Sequence, residues 1–210
     1  MTRRDADAVP CPGCGRRYDR TRFQGGRTLH CTCGARVGPA PAPRARSGGP
    51  PRFAVDAMLG RLAVWLRLLG FDAFYEPHVE DAALARRALE EGRALLTRDR
   101  ALPEAFRLPD VHVVAAQEVR AQLREVAARY GLARFARPFS RCSLCNAPLE
   151  PVAPEAARAH VPPRVATAAA AFLRCPACGR LYWEGSHVAR MRRVAEEVLG
   201  AAPGAEGGGR

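Results

Sequence analysis

Residues 52–56 read RFAVD and residues 93–99 read RALLTRD. Each is a short apolar run with an aspartate at its end or two residues beyond it. Runs of this length, with helical patterning between them, read as buried strands of an α/β sheet. Between them, 58–69 carries Leu59, Leu62, Ala63, Leu66 and Leu69 at helical spacing. Arg61 and Arg67 lie off that stripe, and Gly70 stands where a helix would be capped. Residues 71–75 read as a second strand, 81–89 as a helix opened by Glu80 or Asp81 and followed by Gly92, and 93–97 as a third strand. A short helix follows Asp99, and 111–114 (VHVV) is a fourth strand. Val119, Leu123, Val126 and Tyr130 then mark an amphipathic helix closed by Gly131. Strands alternating with helices predict a parallel sheet covered on both faces.

In an open parallel sheet, ligands bind beyond the carboxyl ends of the strands, near the point where strand order reverses. Asp56 ends the first predicted strand, Asp99 follows the third, and Asp81 opens the helix after the second, so all three belong at one edge. Three carboxylates brought together repel one another and call for a cation, and hard oxygen donors favour Mg²⁺ or Mn²⁺. Those ions suit phosphodiester hydrolysis, with Arg61, Arg67 or Arg98 holding phosphates. Each aspartate has a plainer reading as the N-cap of the helix it precedes. Spacing alone leaves both readings open.

All eight cysteines fall into two sets of four. Cys142, Cys145, Cys175 and Cys178 form paired C-x₂-C knuckles around a long insert, a structural zinc pattern. Cys11 and Cys14 pair with Cys31 and Cys33, whose single intervening residue is less regular; His30 is an alternative ligand there. Four thiolates close the zinc coordination sphere, so both sites read as structural. The chain thus divides into a zinc-ribbon module (1–38), a Pro/Gly-rich linker (39–51), an α/β domain (52–137), a zinc ribbon with a terminal helix (138–200) and a disordered tail (201–210). In the terminal helix, Ser186 reads as the N-cap. Val188, Met191, Val194 and Val198 form its packing face, and Arg190, Arg192 and Arg193 its basic face. His187 at its start reads as catalytic or structural.

The formal charge is +12, and every basic residue is arginine. Each Cys₄ site holding Zn²⁺ contributes a net −2, which leaves about +8. That favours a polyanionic partner. The ribbons carry Arg16, Arg17, Arg22, Arg141, Arg174 and Arg180. Tyr18, Phe23, Tyr182 and Trp183 either stack on unpaired bases or cover the ribbons' own small cores. The N-terminus has no signal-peptide pattern and no apolar run long enough to span a membrane, so a soluble, cytoplasmic protein is expected.

Four stretches resemble a known family: FAVDAMLGRLAVWLRLLGFDA (53–73), VEDAALARRALEEGRALLTRDRAL (79–102), SRCSLCNAPL (140–149) and CPACGRLYWEGSH (175–187). In that order they look like the Mut-seven C-terminal RNase family, PIN-like nucleases with an appended zinc ribbon. The resemblance covers about 52–199 and leaves the N-terminal module outside. It implies a three-layer PIN-like domain that hydrolyses RNA with Mg²⁺ or Mn²⁺ held by Asp56, Asp81 and Asp99. RNA over DNA rests on the resemblance alone. Many PIN-like proteins carry a further acid shortly after the position of Asp99; Arg100, Ala101, Leu102 and Pro103 stand there, and Glu104 and Asp110 are substitutes. That gap keeps a second expectation in view, a non-catalytic RNA- or ribosome-binding adaptor on a PIN-like scaffold.

Overall fold

The chain opens with two short antiparallel hairpins. They pair β1 (Ala8–Pro10) with β2 (Arg17–Asp19) and β3 (Leu29–His30) with β4 (Arg36–Val37). Val9, Cys11, Cys31 and Val37 form their small core. The computed structural model describes residues 8–11, 14–19, 22, 29–38, 48–106 and 108–200, without the side chains of Pro10, Ser186 and His187. Most of the expected linker, the expected tail and Phe23 lie outside the described residues.

The middle of the chain is a four-stranded parallel sheet. β5 (Phe53–Val55) pairs on one side with β6 (Ala73–Tyr75) and on the other with β7 (Ala94–Thr97), which pairs with β8 (Val111–Val113). Strand order is β6-β5-β7-β8, so the order reverses between β5 and β7. All residues of β5 and β7 are buried, as continuous apolar runs require in a sheet covered on both faces. A 3-10 turn (Ala57–Leu59) leads into α1 (Gly60–Leu68). α2 (Asp81–Glu91), α3 (Ala101–Ala105) and α4 (Val119–Tyr130) follow their respective strands. Phe53, Val55 and Leu96 pack against Leu62 and Leu66 of α1 and Leu123 and Val126 of α4. Ala54 and Leu95 face the other way, onto Leu84 and Ala88 of α2 and Leu102 of α3. The alternation along each strand thus feeds two helical layers, and the fold is α/β with three layers.

The cysteine module that follows is a three-stranded antiparallel sheet, β9 (Glu150–Val152), β10 (Phe172–Arg174) and β11 (Leu181–Trp183), with β10 central. The insert between its cysteine pairs supplies α5 (Pro154–Arg158) and α6 (Pro163–Ala168). Ala157, Ala169 and Phe172 form a separate core beneath them, against which Trp183 packs. α7 (Ser186–Leu199) then returns to the α/β domain. Its Ala195 joins the core beside α1 and α4, and its Glu197 accepts a 2.8 Å hydrogen bond from Arg124 of α4. Gly185 occupies the cap position of α7, one residue before the expected Ser186.

The ribbon is joined to the amino-terminal edge of the parallel sheet. Gly70 follows α1 at φ +91°, and an added Cβ there would run into the Arg137 carbonyl oxygen. The chain at 137–140 therefore lies directly on the end of α1, with the Arg137 and Phe139 N–H groups donating to the Leu69 and Leu68 carbonyls at 2.9 and 2.8 Å. Asp72, just before β6, is clasped by Arg93, just before β7, at 2.6 and 3.2 Å. Arg52 adds a contact at 3.1 Å. From the ribbon, Asn146 donates to Asp72 at 2.7 Å and accepts from the Ala73 N–H at 3.0 Å. Burial raises the Asp72 pKa, but hydrogen bonds from Arg93 and Asn146 and the Arg93 charge outweigh it and hold the carboxyl at about 2. The ionised form is therefore favoured by folding. Its contribution is fully present above the usual carboxylate pKa near 4 and is lost as pH falls through about 2. Asp72→Asn should cost about 2–3 kcal/mol at pH 7 by leaving Arg93 buried against a neutral partner. Urea denaturation should show that deficit shrinking between pH 4 and pH 2; a constant deficit across that range would contradict the assignment.

Candidate active site and metal centres

The carboxyl ends of β5 and β7 flank the point where strand order reverses. Asp56 leaves β5 and is buried, and its N–H still donates to the Leu96 carbonyl of β7 at 2.9 Å. One carboxylate oxygen accepts from the Met58 N–H at 3.3 Å. The other accepts from the Thr97 hydroxyl at 2.6 Å. Thr97 is wholly buried, and its hydroxyl oxygen Oγ1 accepts from the Asp99 N–H at 2.9 Å. The Asp99 carboxylate in turn accepts from the Ala101 N–H at 2.8 Å. One hydroxyl therefore ties two aspartates to two adjacent strand ends. Both aspartates also cap local turns, so the capping reading holds alongside their convergence.

Asp81 sits in the first turn of α2, exposed, with Glu80 in the cap position and no side-chain cap bond. Its pKa is raised, first by burial and then by the charges of Asp56, Asp99 and Glu80. The four acids thus lie near enough at this end of the sheet for their charges to act on Asp81. They do not form a closed cage: among the described residues, only the two cysteine sets bring three or more candidate ligand atoms within 4.8 Å of one another.

The three arginines expected at phosphates part company. Arg61 is exposed on the first turn of α1. Arg98 lies beside Asp99 and donates to Gln117 at 2.6 Å. Arg67 is a correction. It is buried, donating to the Ala73 carbonyl at 2.9 Å and to the Ser143 and Leu144 carbonyls of the zinc knuckle at 3.2 and 2.6 Å. Its guanidinium is committed to the opposite edge of the sheet. Asp110 is a second correction. It precedes β8 at that same far edge, accepts from the Tyr130 hydroxyl at 3.0 Å, and so is no fourth acid for the crevice. Glu104 is exposed on α3.

Thr97 and Tyr75 are the residues that sequence reasoning passed over. Tyr75 ends β6 at the acidic edge. Its ring lies over Gly60, where a Cβ would come within 2.5 Å of the hydroxyl oxygen. The glycine leaves room for the ring at the start of α1. The readable signal for Thr97 was its place two residues before Asp99, at the spacing of an Asx- or ST-type local bond.

The cysteines fit zinc. Across the N-terminal set, sulfurs approach to 3.5 Å in the Cys11–Cys33 and Cys14–Cys31 pairs. In the C-terminal set Cys142–Cys178 is 3.7 Å and Cys145–Cys175 is 3.3 Å. A tetrahedral site with Zn–S near 2.3 Å has S–S edges of about 3.7 Å, far longer than a disulfide. His30 is exposed beside a set that is already four thiols. Gly15, Gly34 and Gly179 take positive φ after three of the cysteine pairs. Asn146 does so at the fourth, at φ +70°, where its side chain makes the contacts to Asp72 and Ala73. Tyr182 has its hydroxyl committed to the knuckle. Its hydroxyl lies 3.1 Å from Cys142 Sγ and accepts the Ser143 N–H at 3.2 Å. Burial and the neighbouring Cys142 hold its pKa up at about 12, so it stays protonated and donates toward sulfur.

Two expectations follow. Native mass spectrometry of the purified chain should find two zinc ions per chain, and one would remove a Cys₄ site. Thr97→Val should cost about 1–3 kcal/mol in stability by leaving the buried Asp56 oxygen without its donor, and Thr97→Ser should recover most of it in thermal unfolding.

The model of the Mut7-C RNAse domain family matches residues 51–195. Neither the curated proteins nor the solved structures include a match to the chain. The matched span contains the three aspartates, Thr97, the Asp72–Arg93 pair and the second Cys₄ set, and leaves out the first. With that match over most of its length, the chain belongs to the Mut7-C RNAse domain family.

Proposed function

We propose that this protein is a metal-dependent ribonuclease whose active site is the crevice beyond β5 and β7. The observation that carries the reading is the pair Asp56 and Asp99, fixed through the Thr97 hydroxyl on either side of the point where strand order reverses, with Asp81 facing them. The Asp81 pKa is raised first by burial and then by the charges of Asp56, Asp99 and Glu80, and a bound cation would relieve that second contribution. Oxygen donors of this kind select Mg²⁺ or Mn²⁺, which would activate water and offset charge on the phosphate.

The chain's own residues supply the rest. Asp56 is held nearly rigid by Thr97, the Met58 N–H and burial. Asp99 is fixed through its backbone and by Ala101. Asp81, exposed and without a side-chain cap bond, is free to swing toward the other two and complete a ligand set. Arg61 stands at the start of α1 on the same edge, placed for a neighbouring phosphate. Arg98 reaches the same edge but must exchange its Gln117 contact to take one. Membership of an RNase family favours RNA as the polymer, and no helix among the described residues is long and apolar enough to cross a membrane.

One observation favours a second reading. The acidic oxygens are not gathered into a closed set, and no acid other than the exposed Glu104 follows Asp99 on α3. In that reading the chain binds RNA without cutting it. Labelled single-stranded RNA incubated with Mn²⁺ separates the two. Asp99→Asn should lower cleavage by roughly a hundredfold or more while binding persists. Equal cleavage by wild type and Asp99→Asn would sink the metal-site assignment. Salt-sensitive binding with no turnover in either would establish the adaptor.

A further inference from the structure

Between the α/β domain and the ribbon lies a groove of about 810 Å³, within the range of about 300–1,000 Å³ usual for ligand sites. Its walls are the outer face of α1, the chain around Phe139, the ribbon sheet and the start of α7. Both tryptophans of the chain, Trp65 and Trp183, line it. So does Phe139, whose φ is +62°. A bulky aromatic in the left-handed region is a genuine outlier, and such outliers concentrate at functional sites. The Arg192 guanidinium stands over the Phe139 ring at 5.4 Å.

The charge of the lining has one sign in excess. Arg141, Arg180 and Arg192 line the groove against a single acid, Glu184. Arg192 is paired with Glu184 at 2.7 Å. Arg141 donates at 2.7 Å to the carbonyl of Asn146, and its charge also acts on Asp72 beyond the groove. Arg180 is exposed. An anionic polymer with aromatic bases complements a surface that combines aromatic rings with excess positive charge.

One face of α1 runs from the acidic edge to the groove. Arg61, Val64, Trp65 and Leu68 share one face of α1 at helical spacing, and Arg61 and Val64 are exposed. α1 begins at the end of the sheet that carries Asp56 and ends beneath Phe139. A strand leaving the crevice along that face meets Arg61 first and the groove next.

We infer that this groove is a subsite for unpaired nucleotides of a single-stranded RNA, taking bases against Trp65, Phe139 and Trp183 and phosphates at Arg141 and Arg180. The inference deepens the ribonuclease reading and rests on it for the identity of the polymer. Bases stacked on aromatic rings bind without sequence preference, because every base has a π-face. A duplex keeps its bases inside and cannot use the groove in this way.

Because both tryptophans line the groove, their emission reports its occupancy. The full-length zinc-loaded Asp99→Asn chain is titrated with a 12-nucleotide oligouridylate, with binding followed in parallel by anisotropy of a labelled copy. Saturable quenching that tracks the anisotropy is expected, and a blunt RNA duplex of the same length should quench far less. Phe139→Gly accepts the positive φ without strain and removes one ring. It should weaken binding about tenfold, as loss of one base–aromatic contact does, with thermal stability retained. Arg180→Glu should lower the slope of log affinity against log salt by about one. RNA binding that saturates with unchanged tryptophan emission overturns the proposal and gives the groove to a protein partner. Equal quenching by duplex and single strand overturns it as well. Wild-type cleavage with Mn²⁺ is scored separately: quenching without cleavage leaves the groove standing and defeats the nuclease reading, whereas cleavage without quenching does the reverse.

Discussion

Everything in the described α/β domain hangs on how the amino-terminal edge of its sheet is closed. Asp72 sits between two strands with Arg93 clasping both its oxygens and Asn146 of the ribbon donating to it. A mostly buried carboxylate is tolerable only when its lone pairs are taken by charged or well-placed donors. Arg67 makes the complementary contact, spending its guanidinium on the Ala73 carbonyl and on two knuckle carbonyls. A zinc knuckle presents carbonyls that turn away from the metal, and here a buried arginine collects them. The two contacts together bolt the C-terminal ribbon to the bottom of the sheet, and α7 secures it again at α4.

That closure assigns the two ends of the strands different tasks. The amino-terminal edge carries Asp72 and Glu91 paired with Arg52 and Arg93, contacts that hold its backbone in place. The carboxyl-terminal edge carries Asp56, Asp81, Asp99 and Glu80 beside Arg61 and Arg98, and the Asp81 pKa is raised, first by burial and then by the neighbouring acids. Acids gathered at one end of a sheet are a poor device for stability and a good one for binding a cation. The C-terminal zinc knuckle and the aspartates therefore lie at opposite ends of the same strands. The ribbon meets the α/β domain at the amino-terminal ends of the strands and along α1, away from the aspartates.

Much of this was legible in order. The continuous apolar runs RFAV and RALLT required central strands, Gly70, Gly92 and Gly131 marked helix ends, and all three are at positive φ. The aspartates after two such runs had to share the carboxyl edge once the strands were parallel. Arg67 was not legible. Helical periodicity assigns a residue to a face of its own helix, and Arg67 lies off the leucine stripe. What buries it is the knuckle at 143–144, more than seventy residues away. Asp72 and Arg93 were hidden for the same reason, since each precedes its strand and looks like an ordinary loop charge until the strands align. Asn146 left a faint trace, as the one knuckle residue at positive φ that is not glycine.

By itself the sequence determined the class of fold, the number and membership of the cysteine sets, and which acids end strands, because these depend on periodicity and short-range spacing. Only the tertiary structure decided which charges meet. It gave the Thr97 hydroxyl to both Asp56 and Asp99, withdrew Arg67 from any phosphate, sent Asp110 to the wrong edge to serve as a further acid, and joined α1 to the ribbon around an aromatic groove. Each of those outcomes depends on which segments become neighbours in space. Strand order and the docking of the ribbon set that, and neither is written in any single window of the chain.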